Sequence, residues 1–144
     1  MNAISSDLGR FVDAQNSIYS RVTAELAAGC KQSHWMWFIF PQVEGLGTST
    51  MAQRYAIRSS AEAAAYLAHP ILGARLLECT RLVLAVRDKS LRDILGSPDD
   101  VKFRSCMTLF DSVHPKAEFA AAIDRYCNGM RDPATLAFLQ RDMR

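Results

Sequence analysis

The sequence feature that most constrains the fold is an aromatic block, the six residues from Trp35 to Phe40. Four of the thirteen aromatic residues of the chain lie within it. Aromatic side chains carry the largest apolar areas, so a run of this bulk has to be buried. Polar residues flank the block, His34 before it and Gln42 after it, and a glycine-containing segment follows. The block is therefore either ordinary core or the floor of a pocket that opens toward this segment.

The block by itself fits a strand or a helix. Its residue types favour a strand, whereas Ser33 can cap a short helix that Pro41 would end. On a helix, His34, Trp37 and Phe38 would share one face. An isolated buried strand leaves its backbone N–H and C=O groups unpaired, and the sequence offers no clear partner strand. We therefore predict a short helix.

Apolar residues elsewhere in the chain recur with the spacing of α-helices. In the clearest stripe they lie three and four positions apart: Leu72, Leu76, Cys79, Val83 and Val86. Together with weaker stripes, this pattern predicts an all-α fold, a compact multihelical single domain of seven to nine helices. We expect this domain to span residues 1–144, with its core at about 8–139.

Capping residues mark several helix starts. The strongest signal begins at Ser97, which suits the cap, followed by Pro98 at the first helical position and two aspartates in the first turn. Ser59 and Glu62 have the spacing of a capping box. Asp132 precedes a proline and starts the last predicted helix.

The charge balance excludes several kinds of partner. The chain has 17 basic and 15 acidic residues, a net charge of +2, which is too even to predict binding to nucleic acid or to an anionic membrane. No apolar stretch approaches the length needed to cross a bilayer. The first residues lack the basic start and apolar run of a signal peptide. We therefore expect a soluble, cytoplasmic protein whose four cysteines are reduced.

The residue types that most often carry chemistry do not form a known motif. The sequence has no nucleophile elbow, P-loop or dinucleotide fingerprint. His34, His69 and His114 lack the spacing of a helical metal site, so we predict no metal and no cofactor. His69 and His114 precede prolines at helix ends, where they can interact with terminal carbonyls. His34, beside the aromatic block, is left as a candidate for proton transfer or ligand binding.

A candidate for ligand binding is the predicted helix start that contains Asp99 and Lys102. One interpretation of this pair is a surface ion contact worth tenths of a kcal/mol. The other is an anion site, in which free N–H groups, the helix dipole and Lys102 hold a phosphate or carboxylate. Ser105 and Thr108 continue a polar strip along the same helix. If the strip faces the aromatic block, Trp37 offers a stacking surface.

The chain contains a set of distinctive sequence words: His34-Trp-Met-Trp-Phe-Ile-Phe-Pro-Gln42, Gly45-Leu-Gly47 with Ser49, Tyr55-Ala-Ile57, Ala65-Tyr-Leu-Ala-His-Pro70, and Gly96-Ser-Pro-Asp-Asp100 with Lys102, Ser105 and Met107-Thr-Leu-Phe110. Over nearly its whole length the chain resembles the bacterial domain-of-unknown-function family numbered 1810. The resemblance implies a compact, mainly α-helical single domain and no settled activity. Some members carry the label calpastatin, but true calpastatin is disordered and polar, whereas this chain is half hydrophobic and helix-patterned.

Two functional hypotheses follow. The first is a small enzyme or binder of a ribosyl or nucleotide-like anionic small molecule. In it, Trp37 and Tyr55 stack on the ligand, Gln42 donates or accepts a hydrogen bond, and Lys102 holds the anionic group. The layout, with an early aromatic segment and a late capped helix bearing a lysine, is similar to that of the NAD- and ADP-ribose-associated family. That similarity adds hydrolysis of an N-glycosidic bond as a reaction to consider.

If there is chemistry, Asp99 or His34 would transfer the proton. The second hypothesis is a non-catalytic protein-interaction module with an unknown partner, whose polar residues only shape its surface. The first hypothesis is our best interpretation of the sequence and the second is the alternative, and the sequence leaves open whether the chain is an enzyme.

Overall fold

Residues 7–143, the part of the chain that a computed structural model describes, fold into α-helices joined by irregular segments. The α-helices are, in order, α1 (Gly9–Asn16), α2 (Tyr19–Ala27), α3 (Met36–Ile39), α4 (Thr50–Arg54), α5 (Ser60–Ala68), α6 (Leu72–Ala85), α7 (Leu91–Leu95), α8 (Asp99–Val113), α9 (Glu118–Tyr126) and α10 (Pro133–Asp142). No β-strand forms in these residues, although Val43 and Ile57 pair in an isolated parallel bridge.

The all-α prediction is therefore confirmed. The ten helices of the described chain exceed the predicted seven to nine. The three shortest, α3, α4 and α7, have 4 or 5 residues each and form separate helical turns. Within the described range, none of the helices has the length and apolarity required to cross a bilayer.

Side-chain caps fix two of the predicted helix starts. Ser59 Oγ accepts a hydrogen bond from the Glu62 N–H at 3.0 Å, and an oxygen of Asp132 accepts one from the Thr135 N–H at 3.1 Å. The Glu62 carboxylate accepts from the N–H of Arg58 at 2.8 Å, one residue before the position that a capping box would use. Both starts agree with the sequence spacing.

The start of α8 differs from its prediction. The helix begins at Asp99, so Pro98 occupies the cap position in place of Ser97, and no side chain caps the turn. The N–H of Asp100 donates to the carbonyl of Gly96 at 2.9 Å. Backbone groups thus close this turn without the serine hydroxyl.

The helix in the aromatic block is shorter than the sequence indicated. It begins at Met36, with Trp35 at the cap position. The Ser33 hydroxyl does not cap it, because it donates to a Glu25 oxygen at 2.6 Å instead. His34 therefore precedes the helix and does not share a helical face with the residues after it.

The aromatic block lies at the centre of the core. Trp35, Phe38 and Phe40 are buried, and one connected cluster of buried side chains extends from α1 to α10. Phe40 packs edge to face on Phe103 of α8, with 5.0 Å between ring centroids. Phe38 packs on Tyr55 at 5.3 Å. The block thereby attaches the end of α4 and the helix α8 to the same core.

The most buried part of α8 lies beyond its first turn. Seven of the eight residues from Phe103 to Phe110 are buried, and the helix packs against α5, α7, α9 and α10. Its first turn adjoins the loop that follows the aromatic block. The Ile57 N–H donates to the Gln42 carbonyl at 2.8 Å, and the Glu44 N–H donates to the Ile57 carbonyl at 2.9 Å. These bonds fix the base of the loop beside the start of α8.

Candidate ligand-binding cleft

A cleft of about 470 Å³ lies between this loop, the start of α8 and the start of α10. Small-molecule sites typically have volumes of roughly 300–1,000 Å³. Six lining residues have polar side chains: Gln42, Thr48, Ser49, Lys102, Ser105 and Asp132. The other six are apolar or glycine: Leu46, Gly47, Ala52, Pro98, Val101 and Ala134. A lining of this mixed kind can hold the apolar body of a ligand and orient its polar groups.

Two lysine ammonium groups share one carboxylate at the edge of the cleft. Lys31 Nζ lies 3.0 Å from Asp99 Oδ2, and Lys102 Nζ lies 3.7 Å from Asp99 Oδ1. Each ammonium also sits over an indole ring, Lys31 at 4.9 Å from the Trp35 centroid and Lys102 at 5.7 Å from the Trp37 centroid. We call the three charged groups the lysine–aspartate triad. With two positive charges and one negative, the triad has a net charge of +1.

The two lysines of the triad have different surroundings. The Lys31 side chain is 7% exposed, and its ammonium donates to the Ser33 carbonyl at 2.6 Å. The Lys102 side chain is 29% exposed, and its distance from Asp99 is too long for a hydrogen bond. No described residue accepts a hydrogen bond from the Lys102 ammonium. Lys31 is thus a fixed internal charge, whereas Lys102 offers N–H donors to the cleft.

Glu25 holds the segment that carries Lys31. Its carboxylate accepts from the N–H groups of Gln32 and Ser33, from the Ser33 hydroxyl and from the Trp35 indole, at 2.6 to 3.1 Å. Burial disfavours the charge of Glu25, but these hydrogen bonds outweigh it and lower the pKa to about 2. An ionised carboxylate therefore fixes this segment at neutral pH.

A second carboxylate, Asp132, contributes to the wall at the start of α10. Its Oδ2 accepts from the Ser105 hydroxyl at 3.0 Å, from the Thr135 N–H at 3.1 Å and from the Thr135 hydroxyl at 2.5 Å. Arg104 Nη2 lies 3.5 Å from Oδ1. Burial raises the pKa of Asp132, but the hydrogen bonds and the Arg104 charge lower it by a larger amount, so the net shift of the pKa is downward. An ionised Asp132 suits the acceptance of hydrogen bonds from a ligand better than proton transfer.

Four of the six residues predicted from sequence lie in this region. Gln42 and Lys102 line the cleft. Asp99 lies between the two lysines, and half-buried Trp37 lies beneath the Lys102 ammonium. The two stretches that the sequence analysis singled out, the aromatic block and the start of α8, are therefore neighbours in space.

The other two predicted residues belong neither to the cleft lining, which also lacks Asp99 and Trp37, nor to the triad. Tyr55 is buried at the end of α4, with its ring 5.7 Å from that of Phe11 and 5.3 Å from that of Phe38. Its aromatic surface is occupied by core contacts, so it is not free to stack on a ligand in the cleft. His34 is exposed in the segment before α3.

Two residues of this region, Lys31 and Asp132, are not among those predicted from the sequence. Lys31 lies in an irregular segment with no periodic signal. Its backbone N–H donates to the Ile94 carbonyl of α7 at 2.8 Å, and its side chain reaches Asp99 at the start of α8. Asp132 carries a signal, since a capping aspartate before proline marks a helix start. That signal predicts the helix but does not predict that its first turn faces Ser105 of α8.

A second hollow, of about 530 Å³, lies on the other side of the loop. Glu44, Gly45, Gln53, Ala56 and Arg58 line it, and Gly47 and Thr48 border both hollows. A Cβ atom placed on Gly47 would lie 2.6 Å from the Cβ of Ala52. This distance is far below normal contact, so the loop has no room for a side chain at Gly47.

No histidine or cysteine is among the described residues that line the cleft. Among the described residues, no group of three or more His, Cys, Asp and Glu side chains is arranged to hold a metal ion. Cys79 and Cys106 are buried in the core, and burial raises the pKa of the Cys79 thiol to about 12. These thiols are neutral and pack as small hydrophobic groups.

The fold and the cleft together define an all-helical protein with a hollow of small-molecule size beside the charged start of its central helix. The chain belongs to the family described as "Protein of unknown function (DUF1810)", whose model matches residues 5–139. This match confirms the resemblance carried by the sequence words.

A solved structure is similar over nearly the whole chain. It is the crystal structure of the conserved hypothetical protein Rv1873 from Mycobacterium tuberculosis, which is 49% identical in sequence and superimposes with a TM-score of 0.91. The similarity covers 93% of this chain and 96% of that chain. No curated protein matches the sequence.

Proposed function

We propose that the protein binds a small anionic molecule of ribosyl or nucleotide-like character in the cleft. The observation that carries the proposal is the lysine–aspartate triad, in which one carboxylate serves two ammonium groups at the edge of a cleft of about 470 Å³. The unshared positive charge favours an anion, and hydrogen bonds between an ammonium and an anion are among the stronger ones in proteins.

Lys102 is the residue that would hold the anionic group. Its ammonium has three donors, lines the cleft and makes only a long ion contact to Asp99, at 3.7 Å. The neighbouring N-terminal turn of α8 adds the positive end of a helix dipole. Asp99 and Asp100 in that turn reduce this contribution, so the proposal rests on Lys102 more than on the dipole.

The remaining lining suits the uncharged part of a nucleotide-like ligand. The Gln42 amide and the hydroxyls of Thr48 and Ser49 can hydrogen-bond ribose hydroxyls or a base edge. Asp132 accepts hydrogen bonds only, so a ligand hydroxyl or amine is its natural partner. Val101 is 53% exposed and gives the cleft an apolar face against which a base or sugar can pack.

Binding has more support than N-glycosidic hydrolysis. Hydrolysis needs a carboxyl group or histidine placed to move a proton in a cleft shielded from water. Asp99 touches two lysines, as expected of a counterion, and Asp132 has a lowered pKa. His34 lies outside the cleft lining. Catalysis by any of the three remains a hypothesis.

Isothermal titration calorimetry with AMP and ADP-ribose tests the proposal. The wild-type protein should bind at least one of them, and Lys102→Met should weaken binding roughly ten- to hundredfold, as expected for the loss of a charge-assisted hydrogen bond. Lys116→Asn is the matched control. Lys116 lies outside the cleft lining and has a backbone φ of 59°, a conformation that asparagine tolerates.

The control removes the same charge and should leave binding unchanged. If folded wild-type protein binds neither compound at millimolar concentration, the proposal is contradicted. Chromatography of the same mixtures for released base separates binding from hydrolysis: intact nucleotide after prolonged incubation indicates a binder.

A further inference from the structure

Asp99 occupies the position between the two ammonium groups of the triad, and we propose that it determines the charge selectivity of the cleft. It disfavours ligand groups that carry two negative charges, such as a phosphomonoester, relative to groups that carry one, such as a phosphodiester or a carboxylate. This inference rests on the proposed function, because it concerns an anion held by Lys102. It assigns Asp99 a different role from the proton transfer considered from sequence.

The Asp99 carboxylate is held in place by Lys31. Its Oδ2 lies 3.0 Å from Lys31 Nζ, and the Lys31 side chain is only 7% exposed. Lys31 is fixed in turn by the Ser33 carbonyl at 2.6 Å and by its contact with the Trp35 ring. An ammonium that is nearly excluded from water needs a counterion, so Asp99 is not free to move away when a ligand binds.

Lys102 has no such constraint. Its side chain is 29% exposed, and it contacts the other oxygen of Asp99 at 3.7 Å. An anion that binds to Lys102 therefore has the fixed Asp99 carboxylate as its neighbour. Each negative charge that the anion carries is attracted by Lys102 and repelled by Asp99.

The other acids near the cleft do not produce the same effect. Asp132 lies 3.5 Å from Arg104, which offsets its charge. Asp100 is also in the first turn of α8, but it lines a different hollow, together with Arg92 and Arg104. Asp99 is therefore the carboxylate that faces Lys102.

The size of the effect follows from Coulomb's law. An anion in contact with Lys102 would place its charge at roughly 7 Å from Asp99, where removal of one repulsive charge is worth roughly three- to fiftyfold in affinity for effective dielectric constants between 80 and 20. The change in binding free energy is about twice as large for a group with two charges as for a group with one, so the factor in affinity is roughly squared. The ratio of the two affinities therefore isolates Asp99 from unrelated contacts.

AMP and its methyl ester form a suitable pair of probes, because they share base and ribose and differ by one negative charge on the phosphate. With wild-type protein at pH 7.5 we expect dissociation constants within about threefold of each other. In Asp99→Asn, AMP should gain about tenfold over the ester. Asp100→Asn removes the same charge from the same helical turn, but Asp100 lines a different hollow, so this variant should shift the ratio by clearly less than Asp99→Asn.

The double variant Lys31→Met with Asp99→Asn covers the case in which the single variant does not fold, since it removes the buried ammonium together with its counterion. It should also shift the ratio toward AMP, by less, because the attraction of the more distant Lys31 is lost as well. A wild-type protein that already prefers AMP by more than about thirtyfold would overturn the inference. The inference would also be overturned if Asp99→Asn or the double variant folds and binds both compounds with the wild-type ratio of affinities. If neither compound binds wild type or variants, the proposed function itself fails.

Discussion

The aromatic block and the cleft beside it are held together by different interactions. In the block, large rings such as Phe40 and Phe103 are buried and pack edge to face. In the cleft, charged and polar groups hold one another, through the lysine–aspartate triad on one side and the hydrogen bonds of Asp132 on the other. The difference shows that the aromatic block forms the core beneath the cleft, whereas short polar segments around the block form the candidate site.

Removal of the aromatic support should have the largest effect on stability. Phe103→Ala is expected to lower the free energy of unfolding by about 3–5 kcal/mol, because a fully buried ring is lost and a cavity remains beneath the block. Urea denaturation followed by circular dichroism measures this loss. Val101→Ala, two residues earlier and 53% exposed, should cost less than about 0.5 kcal/mol. Equal losses in the two variants would contradict the division between block and cleft.

Removal of the Asp132 carboxylate should have the next largest effect. Asp132→Ala deletes the cap of α10 and leaves the Ser105 and Thr135 groups without their acceptor. We expect a loss of about 2–3 kcal/mol in the free energy of unfolding. Asp142→Ala at the other end of α10 is the control, since its carboxylate accepts a bond from an exposed N–H. A loss no larger than in this control would show that the Asp132 network adds nothing to stability.

The contribution of the Glu25 carboxylate to the free energy of unfolding should depend on pH. Its pKa is about 2 in the folded protein against an ordinary value of 4.5, so its contribution is complete above about pH 4.5 and disappears as the pH falls toward 2. Glu25→Gln should cost about 1–2 kcal/mol at pH 7. The gap between wild type and variant should narrow when denaturation is repeated at pH 4 and pH 3. A constant gap over this range would mean that the carboxylate charge is not what holds the segment.

The smallest effect on stability is expected at Lys102. Lys102→Met keeps the aliphatic stem and removes an ion contact of 3.7 Å on a partly exposed side chain, so thermal and chemical unfolding should change by less than about 0.5 kcal/mol. The same variant should weaken ligand binding by roughly ten- to hundredfold. A large loss of stability would instead assign Lys102 to the structural framework and remove the contrast with the block.

Most of the fold could be predicted from the sequence, because helical periodicity and capping are local. The stripe from Leu72 to Val83 lies within α6, and the cap at Ser59 forms the hydrogen bond expected from its spacing. The predicted caps at Ser33 and Ser97 were wrong. The reason is a tertiary contact at Ser33 and local backbone hydrogen bonds at Ser97. Ser33 is bonded to Glu25 of another helix, and backbone bonds close the turn after Ser97.

The candidate site could be predicted only in part. Lys102 and Gln42 were selected because a helix start and the end of an aromatic run are visible in the sequence. The contact between Lys31 and Asp99, and that between Ser105 and Asp132, depend on how segments distant in sequence pack together. Tyr55 shows the converse, since its tyrosine ring suits stacking in sequence but is used by the core.

The loop at Gly47 has a consequence for which molecules the cleft can admit. Gly47 and Thr48 separate hollows of about 470 and 530 Å³, and the close approach of Ala52 leaves no room for a side chain at Gly47. At Gly47 main-chain atoms therefore set the boundary of the cleft, and no side chain can be added there to narrow it. Variation in what the cleft accommodates has to come from the other lining side chains, such as Leu46 in the loop and Val101 on the first turn of α8.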